Sequence, residues 1–494
     1  MTALRAPLLC LLLATASGCA VGPAGSPRST IGAPPSLGQV GSAVVAAPAA
    51  TQWWRLYDDP ALDALVTEAL ENNRDLQVAS ANLRQARAVL RERQGARLPL
   101  TTVSSDIGYG STVSDQIAAA LDQTEVRTGQ RYGAGVSAGW SLDFFGRIAR
   151  AVQAARADAE ATEAAQDNMR VVVAAETTRA YVDSCGYASA AGVAQRSLAL
   201  ATRRLALKTA LRAAGGTTAL EVARASALAG QAQAALPALQ AGRRNALYEL
   251  AVLAGRPPDD LAAAAGSCAS VPQLKAPIPI GDVTALLQRR PDVRQAQRRL
   301  EASTARIGVA TASLYPSVSI LGTVAGSAPE VGDLGHHSAI AWNVGPVLSW
   351  HFPNVSAARA QIAQAQAQEA AALARFDAVI LVTLKDVKQA LATHEAARRQ
   401  RDALTAAAEQ SGAAMRLARL DQRAGAASEL DALDAECSDA QMHAALAAAE
   451  TDLALGQVAL FKSLGGGWEQ APAVHTPVIT RRADPARRSP SPTL

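Results

Sequence analysis

Asp75-Leu76-Gln77-Val78-Ala79 is echoed by Asp292-Val293-Arg294-Gln295-Ala296, at an offset of 217 residues. The same offset carries Leu83 to Leu300 and Leu98-Pro99 to Tyr315-Pro316. Further along, Gly215 answers Gly425 and Leu220-Glu221 answers Leu430-Asp431 at 210, and Leu253-Ala254-Gly255 answers Leu464-Gly465-Gly466 at 211. Self-similarity sustained over this length is the signature of a duplicated architecture. The offset shrinks by a few residues, as length changes in surface loops would make it. The chain therefore divides into a first repeat over 60–254, a Pro-rich bridge over 255–281 and a second repeat over 282–466.

Both repeats have the same order of parts. A helix is predicted over about 61–97 and again over 291–314, each stopped by a following proline, which cannot continue a helix. Two alternating segments follow each, giving hairpins over 101–142 and 317–352. In the first, Val103, Ser105, Ile107 and Tyr109 share a face, as do Tyr132, Ala134, Val136, Ala138, Trp140 and Leu142. In the second, Val318, Ile320, Gly322 and Val324 lead and Ile340, Trp342, Val344, Leu348 and Trp350 return. A period of two over about ten residues, with Tyr and Trp near the ends, suits membrane barrel strands. A half-buried soluble hairpin would show the same alternation. Four strands cannot close a barrel, and lipid tolerates no open edge, so closure requires copies of the chain.

Residues 147–214 and 356–424 contain no proline and little glycine. At 1.5 Å per residue each could extend about 100 Å as a helix, a length that points to coiled-coil packing. Gln153, Arg156, Glu160, Glu163, Asp167 and Arg170 recur at heptad spacing as a polar seam flanked by alanines. Such a helix, buried on two sides and wet elsewhere, suits the wall of a hollow tube; the exposed face of a two-helix coiled coil is the plainer alternative. Thr218-x-x-Glu221 and Ser428-x-x-Asp431 read as capping boxes that restart a helix after Gly215 and Gly425. Each half thus ends in a helical hairpin whose tip lies far from the strands.

Alanine is abundant, while aromatics are only 4% and Phe, Met and Trp number 5, 4 and 6. So few bulky side chains exclude a thick globular core and suit close helix contacts. The 47 basic and 43 acidic residues nearly balance, which argues against a nucleic-acid partner. Residues 1–18 read as a signal peptide, and Ala16-Ser17-Gly18-Cys19 as a lipobox that makes Cys19 the acylated first residue. An ordinary signal peptide with an incidental cysteine is the alternative. Ala20 lacks the acidic retention signal of the inner membrane. Residues 19–59 form a lipid-anchored linker, and the basic, Pro- and Ser-rich tail over 467–494 reads as disordered. No later stretch reaches the roughly 20 apolar residues of a membrane helix. Cys185, Cys268 and Cys437 are odd in number and far apart, so neither a metal site nor a disulfide framework is indicated.

Together these residues resemble the TolC/OprM outer-membrane factor family, in its lipidated branch. The match runs through Gly18-Cys19-Ala20-Val21-Gly22-Pro23, Trp53-Trp54, Asp59-Pro60-Ala61-Leu62, Trp140–Arg147, Arg289-Arg290-Pro291-Asp292-Val293, Ile307-Gly308-Val309-Ala310 and Tyr315-Pro316, spanning about 19–466. The resemblance implies a fold that mixes α and β: four strands per chain, long coiled-coil-like helices, and a trimeric 12-stranded β-barrel continued by a periplasmic α-helical barrel. It implies a homotrimer in the outer membrane of a Gram-negative bacterium, working with a periplasmic adaptor and an inner-membrane pump of the resistance-nodulation-division class. It implies no cofactor beyond the acyl and diacylglycerol groups on Cys19.

The family's Asp-x-x-Asp pair is matched by Asp431 and Asp434, whereas Gln422 and Ala427 stand where a well-understood member has latching Tyr and Arg residues. Asp434, Asp431 and, by repeat symmetry, Glu221 are the candidate ring at the periplasmic mouth. Crowded carboxylates there would have raised pKa values. Asp431 and Glu221 also fit a capping role. A type I secretion duct for polypeptides and a structural coiled-coil envelope lipoprotein are the competing readings. No HExxH, phosphate loop or GxSxG elbow supports an enzyme, and His336-His337 falls in a loop between strands.

Overall fold

The computed structural model describes residues 21–32, 44–45, 47–260, 268–350, 352 and 355–476. In chain order the elements are β1 (Val44–Val45), α1 (Pro60–Asn72), α2 (Arg74–Gly95), β2 (Leu100–Gly110), α3 (Val113–Asp122), β3 (Gly129–Leu142), α4 (Arg147–Ala213) and α5 (Ala219–Leu253). They continue with β4 (Ile278–Pro279), α6 (Val283–Arg289), α7 (Pro291–Ala312), β5 (Ser317–Ala328), β6 (Ile340–Ser349), α8 (Val355–Arg423) and α9 (Glu429–Leu464). These divide between two compact units, one drawing on residues 1–32, 83–163 and 294–379, the other on 33–82, 164–293 and 380–494.

The first unit holds a four-stranded antiparallel sheet in the order β2-β3-β5-β6. Its register aligns the apolar positions of all four strands. Val103 faces Val136, Val136 faces Val324, and Val324 faces Trp342 across successive strands. Thr102, Ser137, Thr323 and Asn343 form the equivalent row on the other face, where the Thr323 hydroxyl donates to Asn343 Oδ1 over 2.8 Å. One face is thus aliphatic and aromatic, the other largely small and polar. The outer strands β2 and β6 keep free edges.

The hairpin expected over 101–142 contains α3, a helix that strand alternation does not foretell. Its N-terminus is a full capping box: Thr112 Oγ1 accepts from the Asp115 N–H, and the Asp115 carboxylate accepts from the Thr112 N–H.

The second unit buries Trp53, Trp54, Tyr57, Leu62, Tyr181 and Phe461 in one core. Trp53 stacks on Phe461 at 4.8 Å. Trp54 donates its indole N–H to Asp63, and Tyr181 its hydroxyl to Asp59. Five of the large aromatics therefore share this core, while Trp140 and Trp342 stand exposed on the apolar face of the sheet. The bridge contributes β4, which pairs in parallel with β1.

Four further expectations are corrected. The first predicted helix is broken at Asn73, whose side chain accepts from the Asp75 and Leu76 N–H groups and starts α2. The matching break before α7 falls at Arg290, where the following proline disfavours helical backbone. Cys185 and Cys268 form a disulfide with Cα atoms 5.2 Å apart. Their 83-residue separation in sequence is undone because α5 runs back along α4. The tail expected to be disordered from 467 is held as far as His475: Glu469 pairs with Arg289, and the His475 N–H donates to Glu71 O. Residues 477–494 lie outside the described residues. Finally, α9 is long and apolar enough by composition to cross a membrane, yet half of that stretch is buried, with Leu453, Leu460, Phe461 and Leu464 in the protein core.

Candidate functional site

The helical hairpins end as their glycines dictate. Gly215 and Gly425 adopt φ of +79° and +76°, a left-handed turn that closes α4 and α8 and strains any residue with a Cβ. Ser428 then restarts α9 with a complete capping box: its N–H and Oγ donate to Asp431 Oδ2 at 3.0 and 2.7 Å. Thr218 makes only half of one. It accepts from the Glu221 N–H, but the Glu221 carboxylate turns away to Lys208 at 3.3 Å and Arg224 at 2.9 Å.

These contacts decide the electrostatics. The Ser428 hydroxyl and N–H hold the Asp431 carboxyl below its usual pKa. Lys208, followed by Arg224, does the same for Glu221. Within one chain both shifts run opposite to the rise expected from crowded carboxylates. Asp434 sits instead in an ion-pair cluster that joins three helices. Its Oδ1 lies 2.5 Å from Arg204 Nη1 on α4. Beside it, Glu429 takes Arg203 of α4 at 2.5 Å and Arg419 of α8 at 3.2 Å, and Arg419 also pairs with Glu436. Asp434 and Asp431 are therefore neighbours on α9 with different employment, one bridging helices and the other capping its own.

In the first unit the strands enter the helices through matching contacts. Trp140 donates its indole N–H to Arg97 O at 3.0 Å, and Trp350 donates to Leu314 O at 3.2 Å. Each acceptor lies two residues before the proline that ends a helix. Asp143 Oδ1 and Oδ2 accept from the Ile148 and Ala149 N–H groups, which explains its place in the Trp140–Arg147 motif.

A family model for outer membrane efflux proteins matches residues 65–256 and 283–466, both halves of the duplicated chain. The chain belongs to the outer membrane efflux protein family. It is 30% identical over 419 residues to the outer membrane protein OprJ of Pseudomonas aeruginosa, covering 85% of this chain and 86% of that one. It is 29% identical over 427 residues to the pyoverdine export outer membrane protein OpmQ of Pseudomonas putida, covering 85% and 88%. The solved outer-membrane channel OprN superposes with a TM-score of 0.82 at 35% identity, covering 91% of this chain and all of that one.

This efflux protein accordingly has the family's fold class, a trimeric β-barrel with a periplasmic α-helical barrel, and is an outer-membrane efflux channel. The apolar sheet face meets lipid and the polar face the lumen, while the free edges of β2 and β6 are the seams between copies.

Cys19 lies outside the described residues, but the segment that follows it is held closely. The Val21 N–H donates to Phe145 O and Arg150 Nε donates to Val21 O, both at 3.3 Å. Gly22 passes so near α7 that a Cβ there would stand 2.5 Å from Gly308 Cα. Farther on, the Ser29 and Thr30 hydroxyls donate to the two oxygens of Asp377 at 2.6 and 2.7 Å.

Sequence reading missed Arg203, Arg204, Arg419, Glu429 and Glu436. A weak signal existed: Glu429 and Glu436 are a heptad apart on one helix face, and Arg203-Arg204 interrupts an Ala- and Leu-rich run.

Proposed function

We propose that this channel is the passive exit duct of a tripartite pump for small molecules, fed by a periplasmic adaptor and an inner-membrane pump of the resistance-nodulation-division class. In this reading Cys19 carries the acyl groups, and the ion pairs of Arg203 and Arg204 with Glu429 and Asp434 latch the periplasmic mouth. The observation that carries it is that cluster. It ties α4 to α9 beside the hairpin tips through solvent-accessible charges, which can be exchanged for an adaptor's charges at little net cost. Asp434 with its symmetry copies would then form a ring that attracts cations once Arg204 is drawn away. The small-molecule cargo is supported by the relative named for pyoverdine export.

The test is complementation. Deleting the gene should raise accumulation of a cationic dye in energised cells, and the wild-type chain should restore export. Normal dye export with loss of a secreted polypeptide would favour the type I secretion reading. Mass spectrometry of the purified protein should find a triacylated peptide beginning at Cys19; an unmodified Cys19 would remove the lipid anchor from the proposal.

A further inference from the structure

The helix α3, between β2 and β3, has two faces with unlike fates. At 100° per residue, Val113, Ile117 and Leu121 fall within an 80° arc. All three are exposed, at 70%, 55% and 79%. The opposite arc holds Asp115 and Ala119. Ala119 is buried, and Asp115 forms an ion pair with Arg131 at the start of β3.

The position of Arg131 gives the helix its direction. Arg131 pairs in register with Gly108, two residues from the Asp106–Gly133 pair, so it belongs to the polar, lumenal face of the sheet. The capped N-terminus and the ion pair therefore fasten α3 on the channel side, at the strand ends away from Leu100 and Leu142, where the chain joins its long helices. The apolar arc points away from its own sheet. β2, from which α3 springs, is an edge strand of the sheet and so forms a seam with the next copy. The lipid-facing side of the barrel is the other face of the sheet, the face of Val103 and Val136.

We propose that the α3 helices of the three copies pack their Val113, Ile117 and Leu121 stripes against one another across the outer opening of the barrel, forming an apolar extracellular constriction. The occupant of each stripe is a second copy of this chain. The argument is continuity: the interface begins at the β2 seam and extends onto the helix that seam delivers. A ring of this kind resists ions by dewetting rather than by charge and opens when bulky apolar cargo separates the stripes.

The test is oxidative cross-linking of the full-length trimer in outer-membrane vesicles. Cys437→Ser removes the one free thiol among the described residues. Into that background go Ile117→Cys, Leu121→Cys and, on the opposite arc, Asp122→Cys. Copper-phenanthroline accepts two electrons as two thiols lose two protons and form one disulfide. Covalent dimers should form with Ile117→Cys or Leu121→Cys at least tenfold faster than with Asp122→Cys. Equal rates, or no dimer from either stripe variant in trimers verified by native mass spectrometry, overturn the proposal. So does labelling of Ile117→Cys by a lipid-soluble maleimide and not a water-soluble one, which would put the stripe in the outer leaflet.

Discussion

Arg204 on α4 and Asp434 on α9 stand 2.5 Å apart, with 27% and 52% of their side-chain surfaces exposed. An ion pair this accessible contributes about 0.2–1 kcal/mol, and a trimer repeats it three times. Removing the arginine by Arg204→Ala should therefore raise open probability roughly threefold to a hundredfold and, by uncovering Asp434, increase preference for cations. Asp434→Ala should open the channel similarly but lower cation preference. Single-channel recording separates the two. If both variants share the wild-type selectivity, Asp434 does not line the pore.

The sheet predicts its own asymmetry. Val344, on the apolar face, is 68% exposed in the single chain, and its neighbour Asn343 lies on the lumenal face. Val344→Arg should destabilise the barrel by about 2–4 kcal/mol if it sits near the bilayer midplane. Asn343→Arg should leave stability nearly unchanged and alter conductance instead. Urea unfolding in lipid vesicles measures both. Comparable losses from the two substitutions would reverse or abolish the assigned faces.

The disulfide encloses the tip of the first helical hairpin, because Cys185 lies on α4 before the turn at Gly215 and Cys268 follows α5. Closing a loop of this size removes about 4–5 kcal/mol of unfolded-state freedom in the chain-entropy view, commonly less in practice. Cys185→Ala should lower the melting temperature by several degrees, and Cys437→Ala should not. Non-reducing peptide mapping should find the 185–268 linkage in protein from an oxidising compartment. Two free thiols at these positions would refute the pairing.

The sequence displayed some of these features openly and concealed others, for reasons that differ residue by residue. The strand faces were legible because period-two alternation is local: Val318 to Val324 announce their side without reference to any partner. The long helices were legible because nothing in 147–213 or 355–423 can stop one. The helix α3 was hidden under the hairpin template, although Thr112-x-x-Asp115 carries the same capping signal as Ser428-x-x-Asp431. The disulfide and the Arg204–Asp434 pair were not legible. The ion pair depends on which residues come level when α4 and α9 run antiparallel, and the disulfide on where the bridge after α5 brings Cys268. The capping role of Asp431 was legible in Ser428-x-x-Asp431, whereas the partner of Asp434 on α4 was not.

His394 offers the last test, because it is 4% exposed on α8. Burial pushes its imidazole pKa below the ordinary value; the adjacent Glu395 opposes that shift and Arg398 reinforces it. A histidine whose folded pKa is depressed takes up its proton more readily unfolded. Its neutral form supports the fold fully above about pH 6.5, and that stability declines as pH falls toward the folded value. Glu395 acts in a separate window. Arg398 and then Arg399 lower its pKa to about 2, so its contribution is full above the ordinary carboxylate value and is lost as pH falls from there toward 2. Between pH 7.5 and 5.5, therefore, the wild-type melting temperature should drop by a few degrees more than that of His394→Leu, which has no proton to bind there. Thermal unfolding followed by tryptophan fluorescence in detergent measures the difference. Parallel drops in the two proteins would show that His394 is not the group that loses stability in this range, whatever else titrates with it.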